Sequence, residues 1–378
     1  MPAKTSWESE TLYLDGDDFY RGLLCEIERA EVSVDMEVYL FESGVLAGRL
    51  CECFERATRR GVRVRLICDH WGRPLADNGL LRRLEECGAK VHVYREMPWH
   101  APSPRSGKPS GGLLGRLTQC WRRLRTLNRG FHRKVTLIDS RTAWVGSLNV
   151  SDVHLRELAG EAAWRDIGVR LTGKDVLLFR HAFERIFFRR RNALSKRLEK
   201  HWLVSFNDSF WARWKMNFRI RQRIKHFRQR IWIQNPYVLP PRSLLRALCR
   251  HARKGDVTVI LPEKNDLPIM RYINHAVLKK LLRRGVRVFE QSGPFAHKKV
   301  LIVDNTYTIG SINLNHRSFL HDLEVEVVLT REPTKRALEA AFLADLAGSR
   351  QLTLERVECR PLWFRTISRL LFFFRYWC

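Results

Sequence analysis

Two stretches of this chain set an imidazole and an ammonium two residues apart and follow them with a carboxylate. They are His132, Lys134 and Asp139, and again His297, Lys299 and Asp304. A strand carries residues i and i+2 on one face, so each His–Lys pair is presented together. The alternate residues are apolar, Val135 and Leu137 in one copy and Val300 and Ile302 in the other, as expected of a face turned to a core. Each Asp opens a turn, DSRT or DNTY, into a second strand ending in GSxN. The resulting hairpin brings Ser147 and Asn149, or Ser311 and Asn313, back beside the pair. Exchange at a phosphodiester through a covalent intermediate needs one neutral imidazole to attack phosphorus and one protonated imidazole to release the leaving alcohol. A single copy supplies one of these. Two copies about an approximate two-fold axis supply both, with two lysines and two amides for the non-bridging oxygens. The scheme uses no metal and no cofactor.

The duplication extends beyond the motif. His132, Lys134 and Asp139 recur after 165 positions, and the GSxN recurs after 164. Upstream, GVRVRLICD (61–69) resembles GDVTVILPE (255–263) with a displacement of 194, and ECGAKVHVY (86–94) resembles RRGVRVFEQ (283–291) with one of 197. The first copy therefore holds an insertion of about 32 residues near 96–130, rich in Pro, Gly, Ser and basic residues, which reads as a basic loop flanking the site. Strands and amphipathic helices alternate in each half. SVDMEVYLF, VLAGRLCECFERATRR, RVRLICD and LLRRLEEC in the first half match IWIQNPYV, SLLRALCRHARK, VTVILP and INHAVLKKLLRR in the second. The expected architecture is α/β, built twice. Its parts are a first lobe over 1–184, a basic aromatic linker over 185–230, a second lobe over 231–350 and a basic aromatic tail over 351–378.

Composition narrows the partners. The formal net charge is +28 over 378 residues, a field that draws polyanions, either nucleic acid or an anionic membrane surface. The nine cysteines form no CxxC pair, which supports neither a zinc site nor a disulfide scaffold and suits a reducing, cytosolic compartment. The first residues lack the order of a signal peptide, and no apolar run approaches the roughly 20 residues that span a bilayer. PLWFRTISRLLFFFRYWC at the C-terminal end comes closest. Arg365, Arg369 and Arg375 interrupt it, so it reads as a segment lying in the membrane interface. Between 185 and 230, fifteen Lys and Arg face only Glu199 and Asp208, which fits either a solvated basic face or a membrane-contacting one.

The paired HxKxxxxD and GSxN motifs resemble those of the phospholipase D superfamily. Among its members the chain is most similar to bacterial cardiolipin synthases of the B and C types. HRKVTLID with GSLN, WRDIGVRLTG (164–173), NPYVLPP (235–241) and GSINLNHRSFLHDLEVEVVL (310–329) carry that likeness. The resemblance implies two phospholipase D-like α/β/α lobes related by a pseudo-two-fold axis, with the active site between them. It further implies a phosphohistidine on His132, with His297 as general acid and then base. Lys134, Lys299, Asn149 and Asn313 would hold the phosphate, grouped with Ser147 and Ser311 as substrate-binding residues. Asp139 and Asp304 are counted with the catalytic residues in supporting roles, although a plain turn role fits them equally. A carboxylate is implied behind each histidine; by position these are Asp166 and Glu324, with Glu326 as a competitor for the latter. The implied donor is phosphatidylglycerol, the acceptor is the glycerol headgroup of a second lipid, and the location is peripheral, on the cytoplasmic face of the bacterial inner membrane. Nucleic acid is disfavoured as the partner, because nucleases of the superfamily often dimerise from single-copy chains. A lipid hydrolase, a nuclease and a basic scaffold with a degenerate site are the competing readings, the last disfavoured by two intact motifs. Histidines standing alone beside basic residues, His154, His226 and His251, are read as structural or solvated.

Overall fold

The computed structural model describes residues 6–69, 78–94, 129–188 and 201–373, and the expected basic insertion lies almost wholly outside them. Among the described residues, the first half contributes β1 (Ser9–Tyr13), β2 (Ser33–Val38), β3 (Arg63–Cys68), β4 (Lys90–Val93), β5 (Val135–Ile138), β6 (Thr142–Gly146) and β7 (Gly168–Thr172). They form one sheet in the order β1-β7-β6-β5-β2-β3-β4, parallel only from β2 to β4. The second half contributes β8 (Val204–Phe206), β9 (Arg230–Gln234), β10 (Asp256–Pro262), β11 (Arg287–Gln291), β12 (Val300–Val303), β13 (Thr306–Gly310), β14 (Val325–Leu329) and β15 (Ser349–Gln351), ordered β15-β11-β10-β9-β12-β13-β14-β8. Strands β2 to β7 find counterparts in β9 to β14 at the same positions of the sheet. The α/β duplication read from the sequence is therefore present.

The parallel strands need crossovers, and amphipathic helices supply them. Val45–Arg59 buries Leu46, Leu50, Cys51 and Phe54 against the first sheet, and Met270–Arg283 buries Ile273, Val277, Leu278 and Leu281 against the second. Each helix is followed by a glycine at positive φ, Gly61 and Gly285, where an L side chain would be strained as the chain turns into the next strand.

Each half has its own apolar core, but a third cluster is shared. Val135, Leu137, Val145, Val169 and Leu171 of the first sheet join Val300, Ile302, Ile309, Val325 and Val327 of the second. The apolar faces behind the two His–Lys pairs are thus packed together, which fixes the lobes in one relative position. Trp7 adds a clasp: it is buried, and its indole N–H donates to Val328 O of the other lobe at 2.9 Å.

The segment expected as a linker is partly built into the second lobe. β8 pairs with β14, and the helix Phe210–Lys225 packs Met216, Ile220 and Ile224 into the second core. In the tail, the helix Leu362–Leu371 buries Phe364 and Ser368. None of the helices among the described residues is long and apolar enough to cross a membrane.

Candidate active site

The site lies where the lobes exchange backbone contacts. His132 N–H donates to Leu323 O at 2.9 Å, and Leu323 N–H donates to Gly130 O at 2.8 Å. On the other side Arg165 N–H donates to Phe295 O at 2.9 Å, and His297 N–H donates to Arg165 O at 2.8 Å. Each histidine is thereby laid beside a carboxylate of the opposite lobe. His297 Nδ1 is 2.8 Å from Asp166 Oδ1, and His132 Nδ1 is 3.1 Å from Glu324 Oε2. Glu326 does not compete, because Arg223 engages it. Asp166 and Glu324 sit where the sequence expected carboxylates, in a crossed arrangement that linear order does not reveal.

Each lysine folds back over its own histidine. Lys134 Nζ and Lys299 Nζ donate to the carbonyls of His132 and His297, each at 2.9 Å. The pairs differ in two respects. Lys299 Nζ also lies 2.7 Å from His297 Nε2, so the ring lone pair that would attack phosphorus accepts a hydrogen bond. No such bond to His132 Nε2 is found among the described residues. His132 is also the more open ring, its side chain 12% exposed against 6% for His297.

The serines correct the sequence reading. Ser147 and Ser311 are fully buried and face the carboxylates rather than a substrate space. Ser147 Oγ donates to Asp166 Oδ1 at 2.5 Å and accepts from Ile167 N–H, while Ser311 Oγ donates to Glu324 and accepts from Val325 N–H. The glycine before each serine permits this approach: a Cβ on Gly146 would come within 2.5 Å of Ile167 O. Asn149 and Asn313 are buried at the ends of the two hairpins, and among the described residues their side-chain carbonyl oxygens have no hydrogen-bond partner; only the amide NH2 of each could donate to a phosphate oxygen.

Asp139 and Asp304 stand away from the rings, where either the supporting or the turn role read for them could be filled. Each closes the far end of its motif strand in a turn with positive φ, 53° and 50°. Asp139 accepts from the amides of Glu31, Val32 and Ser33 at 2.7–3.1 Å, and Asp304 from those of Arg228, Gln229 and Arg230 at 2.8–3.1 Å. These carboxylates pin the start of β2 and of β9 to the hairpin. Their role is to hold the strand that carries the His–Lys pair.

His154 corrects the expectation in the opposite sense. It is buried, its Nδ1 is 2.8 Å from Asp166 Oδ2, and its Nε2 accepts from Asn149 N–H at 3.2 Å. Accepting at Nε2 places the ring proton on Nδ1, pointing at the carboxylate. In the other lobe Ser318 does the same work: its Oγ accepts from Asn313 N–H at 3.1 Å and bonds Glu324 Oε1. His154 stands five residues after Asn149 and Ser318 five after Asn313. Aligning the copies on GSxN would have found the pair. The rim adds Tyr39, its ring 5.2 Å from that of His132, and Tyr237, whose hydroxyl donates to Asp266.

The two carboxylates hold their protons differently. Burial would raise Asp166, but the imidazoles of His297 and His154 outweigh it and hold the group well below the usual carboxylate range. Burial raises Glu324 to about 8, against the opposing ammonium of Lys134 and with support from Asp322. Burial and the two ammoniums push His132 well below its ordinary value, and burial with Lys299 takes His297 to about 3. Burial likewise lowers Lys134 to about 8 and Lys299 well below its ordinary value. The positively charged groups of the site oppose one another's protonation, which an anionic phosphodiester would relieve.

Residues 23–168 and 220–346 match the family described as "Cardiolipin synthase, PLD-like domain". The chain belongs to this family. It is 28% identical to the cardiolipin synthase of Listeria innocua over 95% of this chain and 74% of that protein. It is also 28% identical to the major cardiolipin synthase ClsA of Bacillus subtilis, over 97% of this chain and 75% of that one. The crystal structure of a phosphatidylserine synthase from Haemophilus influenzae superposes with a TM-score of 0.69 over 97% of this chain and 93% of that chain, at 13% identity, which is a likeness of fold. The family match spans both His–Lys pairs, Asp166 and Glu324. In a cardiolipin synthase PLD-like domain, the crossed carboxylates make each half-site depend on the other lobe.

Proposed function

We propose that this protein is a cardiolipin synthase, a phosphatidyltransferase that works through a phosphohistidine. His132 Nε2 attacks the phosphorus of phosphatidylglycerol, the bond to the glycerol headgroup breaks, and His297 gives its proton to the departing glycerol oxygen. In the second half His297 takes the proton from a hydroxyl of a second phosphatidylglycerol, whose oxygen attacks the phosphohistidine. Cardiolipin leaves and His132 is restored. Lys134, Lys299, Asn149 and Asn313 receive the non-bridging oxygens.

The observation that carries the order of roles is the unequal state of the two ring nitrogens. His297 Nε2 already accepts from Lys299, while among the described residues His132 Nε2 has no such bond. His297 is also backed by a carboxylate held ionised, which suits a ring that must become an imidazolium; His132 is backed by one that favours its proton. Burial and the ammonium of Lys299 give His297 its low value, and the negative charge of a bound phosphodiester acts against the ammonium's part of it.

Phosphatidylglycerol as donor, an anionic bilayer as partner and a peripheral position on the cytoplasmic face of the inner membrane complete the reading. The +28 charge supports an anionic lipid surface. Purified protein incubated with phosphatidylglycerol vesicles is expected to yield diphosphatidylglycerol and glycerol in equal amounts. Phosphatidic acid as the main product would indicate hydrolysis instead. Cleavage of DNA without lipid turnover would overturn both lipid readings.

A further inference from the structure

The helix Phe210–Lys225 has two apolar faces, and the core needs only one. Ala212, Met216, Ile220 and Ile224 are buried. Phe210, Trp211, Trp214 and Phe218 stand on another face, 74%, 63%, 50% and 44% exposed. They form a ladder, each ring against the next, with Trp214 and Phe218 stacked at 5.2 Å and 11°. Two Trp and two Phe exposed in one row form the kind of contiguous patch that marks an interaction surface.

The surrounding charge selects the partner. The helix carries six Lys and Arg and no Asp or Glu. Arg213, Arg219 and Arg223 turn back onto the protein, to the carbonyls of residues 320–322, to His201 O and to Glu326. Arg221 and Lys225 remain exposed beside the ladder. Indole and phenyl rings bordered by cations match the interface of an anionic bilayer, where rings enter the headgroup boundary and ammonium and guanidinium groups meet lipid phosphates.

We propose that the Phe210–Lys225 helix is the face by which this protein docks on anionic bilayers, with Trp211, Trp214 and Phe218 inserted among the headgroups. This deepens, and rests on, the reading of the substrate as a bilayer lipid. The helix is also joined to one wall of the site. Asn217 donates to Phe319 O at 2.8 Å, and Arg213 binds the carbonyls of Leu320, His321 and Asp322. Asp322 in turn accepts from Gly130 N–H at 2.8 Å, two residues before His132. Docking by this helix therefore sets the membrane on the side of the structure that carries the proposed nucleophile. The helix Leu362–Leu371 exposes a second row, Leu362, Trp363 and Leu370, but among the described residues no hydrogen bond ties it to that wall in the same way.

The test compares two variants of the full chain, one with Trp211, Trp214 and Phe218 changed to Ser, the other with Leu362, Trp363 and Leu370 changed to Ser. Sedimentation with phosphatidylglycerol vesicles requires no turnover, so it judges docking whether or not the protein proves to be a synthase. The ladder variant should bind vesicles at least tenfold more weakly and lose turnover on them in proportion. It should keep wild-type turnover on a short-chain phosphatidylglycerol dissolved as monomer, which shows that it is folded. Vesicle binding that survives in the ladder variant, or is lost only in the Leu362–Leu371 variant, overturns the proposal. So does a wild-type dimer that the ladder variant breaks, because the occupant would then be a second copy of this chain.

Discussion

The two half-sites share a plan and differ in the residue behind the carboxylate. Asp166 is held by Ser147 and His154, Glu324 by Ser311 and Ser318. Two imidazoles and one hydroxyl converge on the short carboxylate; one imidazole and two hydroxyls converge on the long one. The outcome is a carboxylate that stays ionised behind His297 and one that favours its proton behind His132. A duplicated site that must act as nucleophile on one side and acid on the other cannot remain symmetric, and the asymmetry sits one shell behind the reacting rings.

The sharpest way to break this comparison is to neutralise each carboxylate in turn. Asp166→Asn removes the charge that stabilises a protonated His297 and should lower kcat on the order of 10^3-fold or more. Glu324→Gln keeps the shape of a group that already favours its proton and should cost less than about tenfold. Equal losses in steady-state assays of the two purified variants would show that the half-sites do not differ as described. His154→Ser gives the first half-site the solution used by the second. It removes a hydrogen bond to a charged carboxylate, worth about 1.5–3 kcal/mol, so kcat should fall roughly 10- to 100-fold with KM little changed. An unchanged kcat would return His154 to the plain structural role read from the sequence.

Much of this was legible before the structure. The strand–helix order of both halves and the His–Lys pairs follow from repeat spacing, because a duplication fixes each feature twice; Asp166 and Glu324 were named from the family resemblance, with Glu326 as a competitor. What the spacing could not show was direction in space. The GSxN serines looked like substrate ligands because a hairpin brings them near the histidines, yet their hydroxyls turn behind the rings to the carboxylates. Asp139 and Asp304 shared the motif's periodicity, but periodicity does not tell a reacting group from one that pins a turn. His154 was hidden because its counterpart is Ser318, and a search for identical residues passes over a role filled by different ones. The crossing of carboxylates between lobes depends on backbone pairs 165 with 296 and 131 with 323, contacts with no local signature.

Two smaller effects sharpen the account. Burial lowers Lys134 to about 8, and a lysine is charged only below its pKa. The value of kcat/KM for phosphatidylglycerol should therefore decline as pH rises through about 8, as the ammonium that meets the phosphate is lost. A profile that stays flat to pH ~10 would remove Lys134 from phosphate binding. Asp139→Ala and Asp304→Ala should each lower stability by about 1–3 kcal/mol in denaturant unfolding, since several backbone amides lose an ionised acceptor. Activity per folded molecule should change little, and a loss comparable to that of Asp166→Asn would restore these residues to the catalytic group.

The central claim is that the unequal half-sites make His132 the nucleophile and His297 the acid. It is tested most directly with a phosphatidyl ester of a nitrophenol, whose departure needs no protonated histidine. After a rapid quench, the His297→Ala variant should hold a phosphatidyl group on His132, approaching one per molecule, identified by mass on the peptide that contains residue 132. The His132→Ala variant should hold none. An adduct on residue 297 in the His132→Ala variant, with none in the His297→Ala variant, would contradict the account and reverse the roles of the two lobes.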